Sequence, residues 1–307
     1  MRRSWSNAGA ADDVRVVKRE DRYRVLSTRY LRNRAPVRLS ECLAYPFTDG
    51  PGVGLLLFFP PALWLLSLPV FDVIAVLRPF TKGDWALGLL VLPVFLPLLF
   101  SFVMTVGYVL LFLGEMLVAS AIGEMDHPRW PEWHPNAIAE GLARWIWAFL
   151  FGAGLVTLPI AAYWARCGEI DLTDRVVITA LVILGVSYAQ MALAAALLHD
   201  HILAANPVTV IVAVARVGWG YVPSCIVSGL ALLMIFGAAS ALLTEHVSFR
   251  LAAVSLWVFW IATLYASMVV MRLLGLTYYR NAERLGWFRR RPRWSAPSRI
   301  GRIYENS

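Results

Sequence analysis

The stretch that decides the fold is Val176–His199, VVITALVILGVSYAQMALAAALLH, which contains no Asp, Glu, Lys or Arg. A helix needs about 20 mainly apolar residues to cross the hydrocarbon core of a bilayer. Lipid offers the backbone no hydrogen-bond partners, so such a stretch crosses either as a helix or as part of a closed barrel. Its apolar residues run continuously and do not alternate with polar ones, which favours the helix.

Other parts of the chain repeat this pattern. The further charge-free stretches are Gly50–Phe71, Trp85–Gly114, Trp145–Ala165, Val217–Thr244 and Leu251–Met271. Of the 307 residues, 59% are hydrophobic and 16% are charged, whereas an ordinary soluble domain has roughly 25% charged residues. We therefore predict an all-α fold, a polytopic transmembrane helical bundle with interfacial amphipathic helices.

The predicted organisation has three parts: a basic N-terminal tail over 1–48, a membrane domain over 49–276 and a basic C-terminal tail over 277–307. The six spans are predicted at about 53–77, 85–113, 145–165, 176–198, 221–243 and 251–274. The apolar segment Ile202–Ala215 is too short to span and is interrupted by Asn206-Pro207. We expect a separate short helix there, either interfacial or buried.

The distribution of basic residues predicts the orientation. The two tails and the loops on their side of the membrane hold 23 of the Lys and Arg residues, and the opposite loops hold 5. Because basic residues are enriched in cytoplasmic loops, we expect both termini in the cytoplasm. The basic residues that give the chain its net charge of +8 flank the predicted spans. This placement favours anionic lipid headgroups as partners and not nucleic acid.

Aromatic and basic residues mark two candidate membrane interfaces. Trp130 and Trp133 lie among prolines in the connection after the second span, and indole rings are enriched at headgroup level. The C-terminal tail interleaves aromatics with arginines, and the residues that we expect at the surface are Arg289, Arg290, Arg291, Arg293 and Trp294.

Other polar residues are candidates for chemistry. His199 and His201 are the nearest approach to a metal motif, but residues two apart on a helix point to opposite sides, so an interfacial polar cap is the competing interpretation. Glu124 and Asp126 could bind a cation or act as acid and base with nearby histidines, or they could pair with the basic tails. Asp72 lies inside an apolar stretch, where ionisable groups suggest a proton or ion role, although pairing with Arg78 would also satisfy it.

Gln190 is a mid-span polar residue that suits an interhelical hydrogen bond. No nucleotide-binding, nucleophile-elbow or metalloprotease motif occurs in the sequence. We therefore predict no catalytic residues, no cofactor and no metal site.

Several short segments are similar to an uncharacterised bacterial family of multi-span membrane proteins, known only as a domain of unknown function. They span roughly residues 38–288 and comprise Leu43-Ala44-Tyr45-Pro46-Phe47, Pro131-Glu132-Trp133, Glu140-Gly141-Leu142, His199-Asp200, Asn206-Pro207, Arg272-Leu273-Leu274-Gly275-Leu276, Tyr279-Arg280 and Arg284-Leu285-Gly286-Trp287-Phe288. The resemblance implies a compact polytopic fold and no particular activity.

The sequence favours a non-enzymatic protein that organises or remodels the inner membrane through interfacial helices, basic tails and unknown protein partners. A small-solute or ion transporter that uses Asp72 and Gln190 is the first alternative, and it predicts a polar site inside the bundle. The second alternative is an intramembrane enzyme at the cytoplasmic face, which predicts that His199, His201 and the acidic connection converge.

Overall fold

The computed structural model describes Leu26 and residues 39–48, 50–77, 85–123, 130–164, 172–242 and 249–288. Almost all of these residues are helical, and none of them belongs to a β-strand. The prediction of an all-α fold is confirmed. The helices that the structure describes are α1 (Leu39–Thr48), α2 (Gly50–Leu77), α3 (Trp85–Ile122), α4 (Pro135–Trp164), α5 (Leu172–His199), α6 (Pro207–Val217), α7 (Val222–Leu242) and α8 (Phe249–Leu285).

Five described stretches of helix are long and apolar enough to cross a membrane, so the chain is a multi-pass bundle. They are Gly50–Leu68, Phe95–Ile122, Val176–His199, Pro207–Ile235 and Ala253–Leu285. The predicted third span, 145–165, lies in α4 and is not among the five, so the count of six spans stays a prediction.

The long helices alternate in direction. Phe102 and Ser120 of α3 lie against Trp260 and Gly275 of α8, and His199 at the end of α5 stacks on Phe288 just after α8. Therefore α3, α5 and α8 run the same way and finish at one end of the bundle, which we call the basal end. The helices α2, α4 and α7 begin towards this end and run back towards the opposite, apical end.

Close packing is concentrated in the basal half. Among the described residues, every helix except α4 packs closely against α8. Helix α8 is buried on most sides from Leu264 to Leu276, whereas Arg280, Glu283 and Arg284 near its end are exposed. The basal part of α5 is buried over Tyr188–Leu198, whereas Ile183 and Leu184, further from the basal end, are exposed apolar residues. The described apical side chains thus face outwards far more than the basal ones do.

Two glycines allow helices to approach closely. A Cβ atom at Gly275 would overlap the Cβ of Ser120 and lie 2.5 Å from the Leu117 carbonyl oxygen, so α8 lies almost directly on the α3 backbone. A Cβ atom at Gly152 of α4 would likewise overlap Ala189 of α5. Small residues at such crossings let membrane helices gain van der Waals contact.

Two helices extend further than the charge-free stretches predicted. Helix α3 passes the predicted end at residue 113 and ends at Ile122, where Gly123 adopts a φ of 79°. Helix α8 passes residue 274 and ends at Leu285, before Gly286 with a φ of 64°. Glycines that adopt the left-handed conformation are common helix stops, whereas Glu115 and Arg272, which ended the charge-free stretches, are simply included in the helices.

Residues from both predicted tails also pack against the bundle. Helix α1 lies inside the predicted N-terminal tail, yet its Cys42 and Tyr45 are buried against the bundle. The carbonyl oxygen of Leu26 accepts a hydrogen bond from the Tyr278 hydroxyl at 3.2 Å. Parts of both predicted tails therefore belong to the packed domain.

The short apolar segment near residue 207 forms a helix of its own. The side chain of Asn206 caps α6 by accepting a hydrogen bond from the Thr209 amide at 2.8 Å, and Pro207 occupies the first turn. Helix α6 ends at Gly218, whose φ of 57° and ψ of −134° break the helix before a 3₁₀ turn over Gly218–Tyr221 leads into α7. The apolar stretch Pro207–Ile235 is therefore two helices joined by a bend.

Candidate functional site

A buried arginine lies in the basal half of α8. Arg272 is only 4% exposed. Its Nη1 donates to the Ser120 Oγ of α3 at 2.9 Å, and its guanidinium lies 4.4 Å from the ring centroid of Tyr45 in α1. A guanidinium over an aromatic face is a cation–π contact. Arg272 thus connects three helices that are distant in sequence.

Cys42 lies in α1 close to this arginine. Burial raises the pKa of the Cys42 thiol, the positive charge of Arg272 opposes that rise, and Glu41 adds to it. The net result is a neutral thiol at physiological pH, which behaves as a small apolar group.

A second polar contact connects α4 to the residue that follows α5. Nη1 of Arg144 lies 2.7 Å from Oδ1 of Asp200, and Nη2 lies 3.4 Å from Oε2 of Glu140, one turn earlier in α4. Asp200 has a φ of 55°, a conformation that Asp tolerates better than most residues. The arrangement holds the turn after α5 against the start of α4.

We expect a double-mutant cycle of Arg144→Ala and Asp200→Ala to give a coupling free energy of about 1–2 kcal/mol, because the pair is close, charged and mostly buried. The measurement is thermal unfolding of the four proteins in one detergent. A cycle of Arg144→Ala with Glu140→Ala serves as the control, and we expect a smaller coupling there because Glu140 is more exposed and further away. Equal coupling in the two cycles would contradict the assignment.

The two candidate histidines lie in different environments. The ring of His199 stacks on Phe288 with centroids 4.7 Å apart and lies 5.4 Å from the Trp287 ring. His201 is exposed, and its Nδ1 accepts a hydrogen bond from the Leu203 amide at 3.1 Å. One imidazole is therefore an aromatic packing group and the other caps the 3₁₀ turn Ile202–Ala205.

Within the part of the chain that the structure describes, no three His, Cys, Asp or Glu residues lie together as metal ligands would. Glu124 and Asp126 lie outside the described residues, as do Arg289, Arg290, Arg291, Arg293 and Trp294. Asp72 lies in the last turns of α2, but its side chain is outside the described part.

The two candidate interfacial tryptophans lie against the bundle. Trp130 packs on Phe112 at 4.7 Å and on Phe59 at 6.3 Å between ring centroids. Trp133 lies 4.9 Å from the ring of Tyr108, whose hydroxyl donates to the Pro131 carbonyl oxygen at 3.0 Å. Both indoles keep exposed faces, so this segment presents an apolar aromatic surface outward.

Gln190 faces the interior of the bundle. It is 8% exposed, and neither its Nε2 nor its Oε1 has a hydrogen-bond partner among the described residues. The hydroxyls of Ser224 and Ser228 on α7 and of Thr263 on α8 are also buried without partners in that part of the chain.

Sequence reasoning missed several of these residues. Arg272 is one of the basic residues that predict orientation and belongs to a segment of the family resemblance, but neither observation predicts that it is buried. The apolar residues Leu273 and Leu274 follow it directly and are a signal that the helix continues into a packed environment. The pairing of Arg144 with Asp200 has no local signal, because 55 residues separate the two in the chain.

The fold and these contacts define a multi-pass helical membrane protein that carries a buried Arg272 and an Arg144–Asp200 ion pair towards the basal end of the bundle. No protein-family model, curated protein or solved structure matches this chain. The resemblance to a family of unknown function therefore stays a prediction.

Proposed function

We propose that this protein is a non-enzymatic organiser of the lipid around its basal end, which we place at the cytoplasmic face of a bacterial inner membrane. The observation that carries the proposal is the surface of α6. Val210, Ala213 and Val217 are buried against the bundle, while Val208 and Ile211 on the other side are exposed. Helix α6 is thus apolar both towards the protein and away from it.

Length and composition together limit where α6 can lie. Its 11 residues extend about 16 Å at 1.5 Å per residue, which is roughly half of the hydrocarbon core. An apolar outer face in water would be an aggregation-prone patch, whereas in lipid it is favourable. We therefore place α6 within a single leaflet, with acyl chains against Val208 and Ile211.

A neighbouring tryptophan supports the same placement. Trp219, in the bend after α6, is 89% exposed. Amphipathic rings gain by lying at headgroup level. Apolar elements confined to one leaflet displace lipid there and not in the other leaflet, which is the physical basis of lipid ordering or bending.

The basic residues of the predicted tails complement this surface. Each Lys or Arg close to an anionic membrane contributes about 1 kcal/mol of attraction. Arg216, at the end of α6, donates from Nη1 to the Leu285 carbonyl oxygen at 2.8 Å. It therefore fixes α6 against the end of α8, so the shallow helix is part of the rigid bundle.

The proposal predicts the depth of α6. A spin label at Ile211→Cys, in a background where Cys42 is replaced by alanine and Cys167 and Cys225 by serine, should be relaxed strongly by oxygen and weakly by a water-soluble nickel chelate. A label at Trp219→Cys should show intermediate accessibility to both, because it lies nearer the headgroups. Preferential access of the nickel chelate to position 211 would contradict the placement in lipid.

The function itself is tested by vesicle remodelling. Purified protein in vesicles containing anionic lipid should change lipid order and vesicle diameter relative to empty vesicles. The double variant Val208→Ser/Ile211→Ser should lose most of this effect, and Val208→Leu/Ile211→Leu should keep it. If wild-type protein changes neither quantity, the proposed function is wrong even if α6 lies in lipid.

The alternatives are supported unequally. An enzyme centred on His199 and His201 gains no support from the geometry, because one ring packs on Phe288 and the other is exposed. A small-solute transporter has one specific observation in its favour: the polar atoms of Gln190 and of two α7 serines, which have no hydrogen-bond partner in the described part of the chain.

A further inference from the structure

Three buried side chains on α5 and α7 have polar atoms that form no hydrogen bond within the described part of the chain. They are Gln190 at 8% exposed, Ser224 at 1% and Ser228 at 4%. A buried polar atom without a partner destabilises the fold because it has lost its bonds to water and gained none. Serines in membrane helices normally bond to the carbonyl four residues earlier, and these two do not.

The contacts between α5 and α7 fix their register. The Tyr221 hydroxyl donates to the Ser187 carbonyl oxygen at 2.7 Å, and the Cys225 thiol lies within hydrogen-bond reach of the Ser187 and Tyr221 side chains. Because the two helices run in opposite directions, Ser224 lies within about one helical turn of the level of Gln190. Ser228 lies one further turn towards the apical end.

The direction of each side chain follows from its neighbours on the same helix. Gln190 is seven residues before Leu197 and therefore lies on the same face of α5; that face meets Gly114 of α3.

On α7, Val227 packs with Leu273 of α8, while Cys225 faces α5. Ser224 and Ser228 lie between those two faces of α7 by the helical period. The amide and both hydroxyls are thus directed into the interior between α3, α5, α7 and α8.

The chemistry of these groups selects the kind of molecule that would satisfy them. The amide offers two N–H donors and one oxygen acceptor, and each hydroxyl can donate and accept. The surrounding α5 side chains include Met191, Ala194 and Leu197, all buried and apolar. A charged guest would be strongly disfavoured in such surroundings, whereas a small neutral molecule with a donor and an acceptor fits the groups present.

We propose that the interior between α5 and α7 binds a small neutral hydrogen-bonding molecule through Gln190, Ser224 and Ser228. The shared chemistry is that of water and of small neutral solutes such as amides and polyols. The site is independent of the lipid-facing surface of α6, and it would suit the handling of a neutral solute.

The test compares wild-type protein with Gln190→Leu and with Ser224→Ala/Ser228→Ala by thermal unfolding in detergent. Leucine resembles glutamine in size and helix propensity but cannot hydrogen-bond. Each protein is measured alone and with acetamide, glycerol or sodium chloride. Ser101→Ala is the matched control, because the Ser101 hydroxyl is exposed and already bonds to the Pro97 carbonyl oxygen.

If a solute occupies the site, acetamide or glycerol at about ten times its Kd should raise the Tm of wild-type protein and of Ser101→Ala by about 2–4 °C more than that of the other two variants. Sodium chloride should not discriminate among the four proteins. If water is the guest, no solute discriminates, but Gln190→Leu and the double serine variant melt at or below the wild-type Tm without any additive. The proposal is overturned if either variant melts above wild type without additive and no solute discriminates, because the polar atoms removed in that variant would then be unpartnered in a dry interior.

Discussion

Replacing Arg272 with alanine is expected to lower the free energy of unfolding by about 3–5 kcal/mol. The substitution removes a charge-assisted hydrogen bond to Ser120 and a cation–π contact with Tyr45, which together contribute about that much when desolvated. It also leaves a cavity among α1, α3 and α8. Thermal unfolding in detergent should show a Tm lower by about 10 °C or more.

Two further variants separate charge, shape and position. Arg284→Ala removes an exposed arginine of the same helix and should change the Tm little. Arg272→Lys keeps the charge but loses the planar group that stacks on Tyr45, so it should lie between wild type and Arg272→Ala. If Arg272→Ala is as stable as Arg284→Ala, the buried arginine does not hold the three helices together.

Replacing Gly275 with alanine should destabilise the bundle by about 2–3 kcal/mol, and replacing it with leucine should leave little folded protein. The added Cβ would lie 2.5 Å from the Leu117 carbonyl oxygen and 3.0 Å from the Ala121 nitrogen. Both are backbone atoms of α3, so the helices can avoid the overlap only by separating. Size-exclusion recovery and thermal unfolding measure the loss.

Gly229→Ala provides the control for glycine replacement within a helix. No atom lies within 4 Å of a Cβ built at Gly229, so this variant should be as stable as wild type or slightly more stable. A Gly275→Ala protein that matched Gly229→Ala would show that α3 and α8 do not approach as closely as their contact indicates.

The sequence predicts the existence of helices much better than their ends. Charge-free stretches predict helices because a bilayer forbids unpaired backbone groups, and a helix is found at each of them. Their ends depend on local backbone conformation, as Gly123 and Gly286 show, and on burial at the basal end. A charged residue such as Glu115 or Arg272 ends an apolar stretch of sequence without ending the helix.

The sequence predicts only those parts of the candidate site that depend on residues close together in the chain. The Asn206-Pro207 signal for the start of α6 depends on neighbouring residues, and Asn206 caps that helix. Contacts such as the one between His199 and Phe288 depend on how the ends of α5 and α8 pack. That packing cannot be predicted from a single sequence. The mid-span position of Gln190 predicts an interhelical hydrogen bond, yet its amide has no partner among the described residues.

The uneven burial of the bundle has a consequence for the way it responds to its surroundings. The basal half has an interior of its own, with Arg272 and the α3–α8 crossing at its centre. The exposed apolar residues of the apical half, such as Leu184, Leu233 and Trp257, make many of their contacts with the solvent that surrounds them. Bilayer thickness and lateral pressure will therefore act chiefly on the apical half, whose described side chains contact the surrounding lipid more than they contact one another.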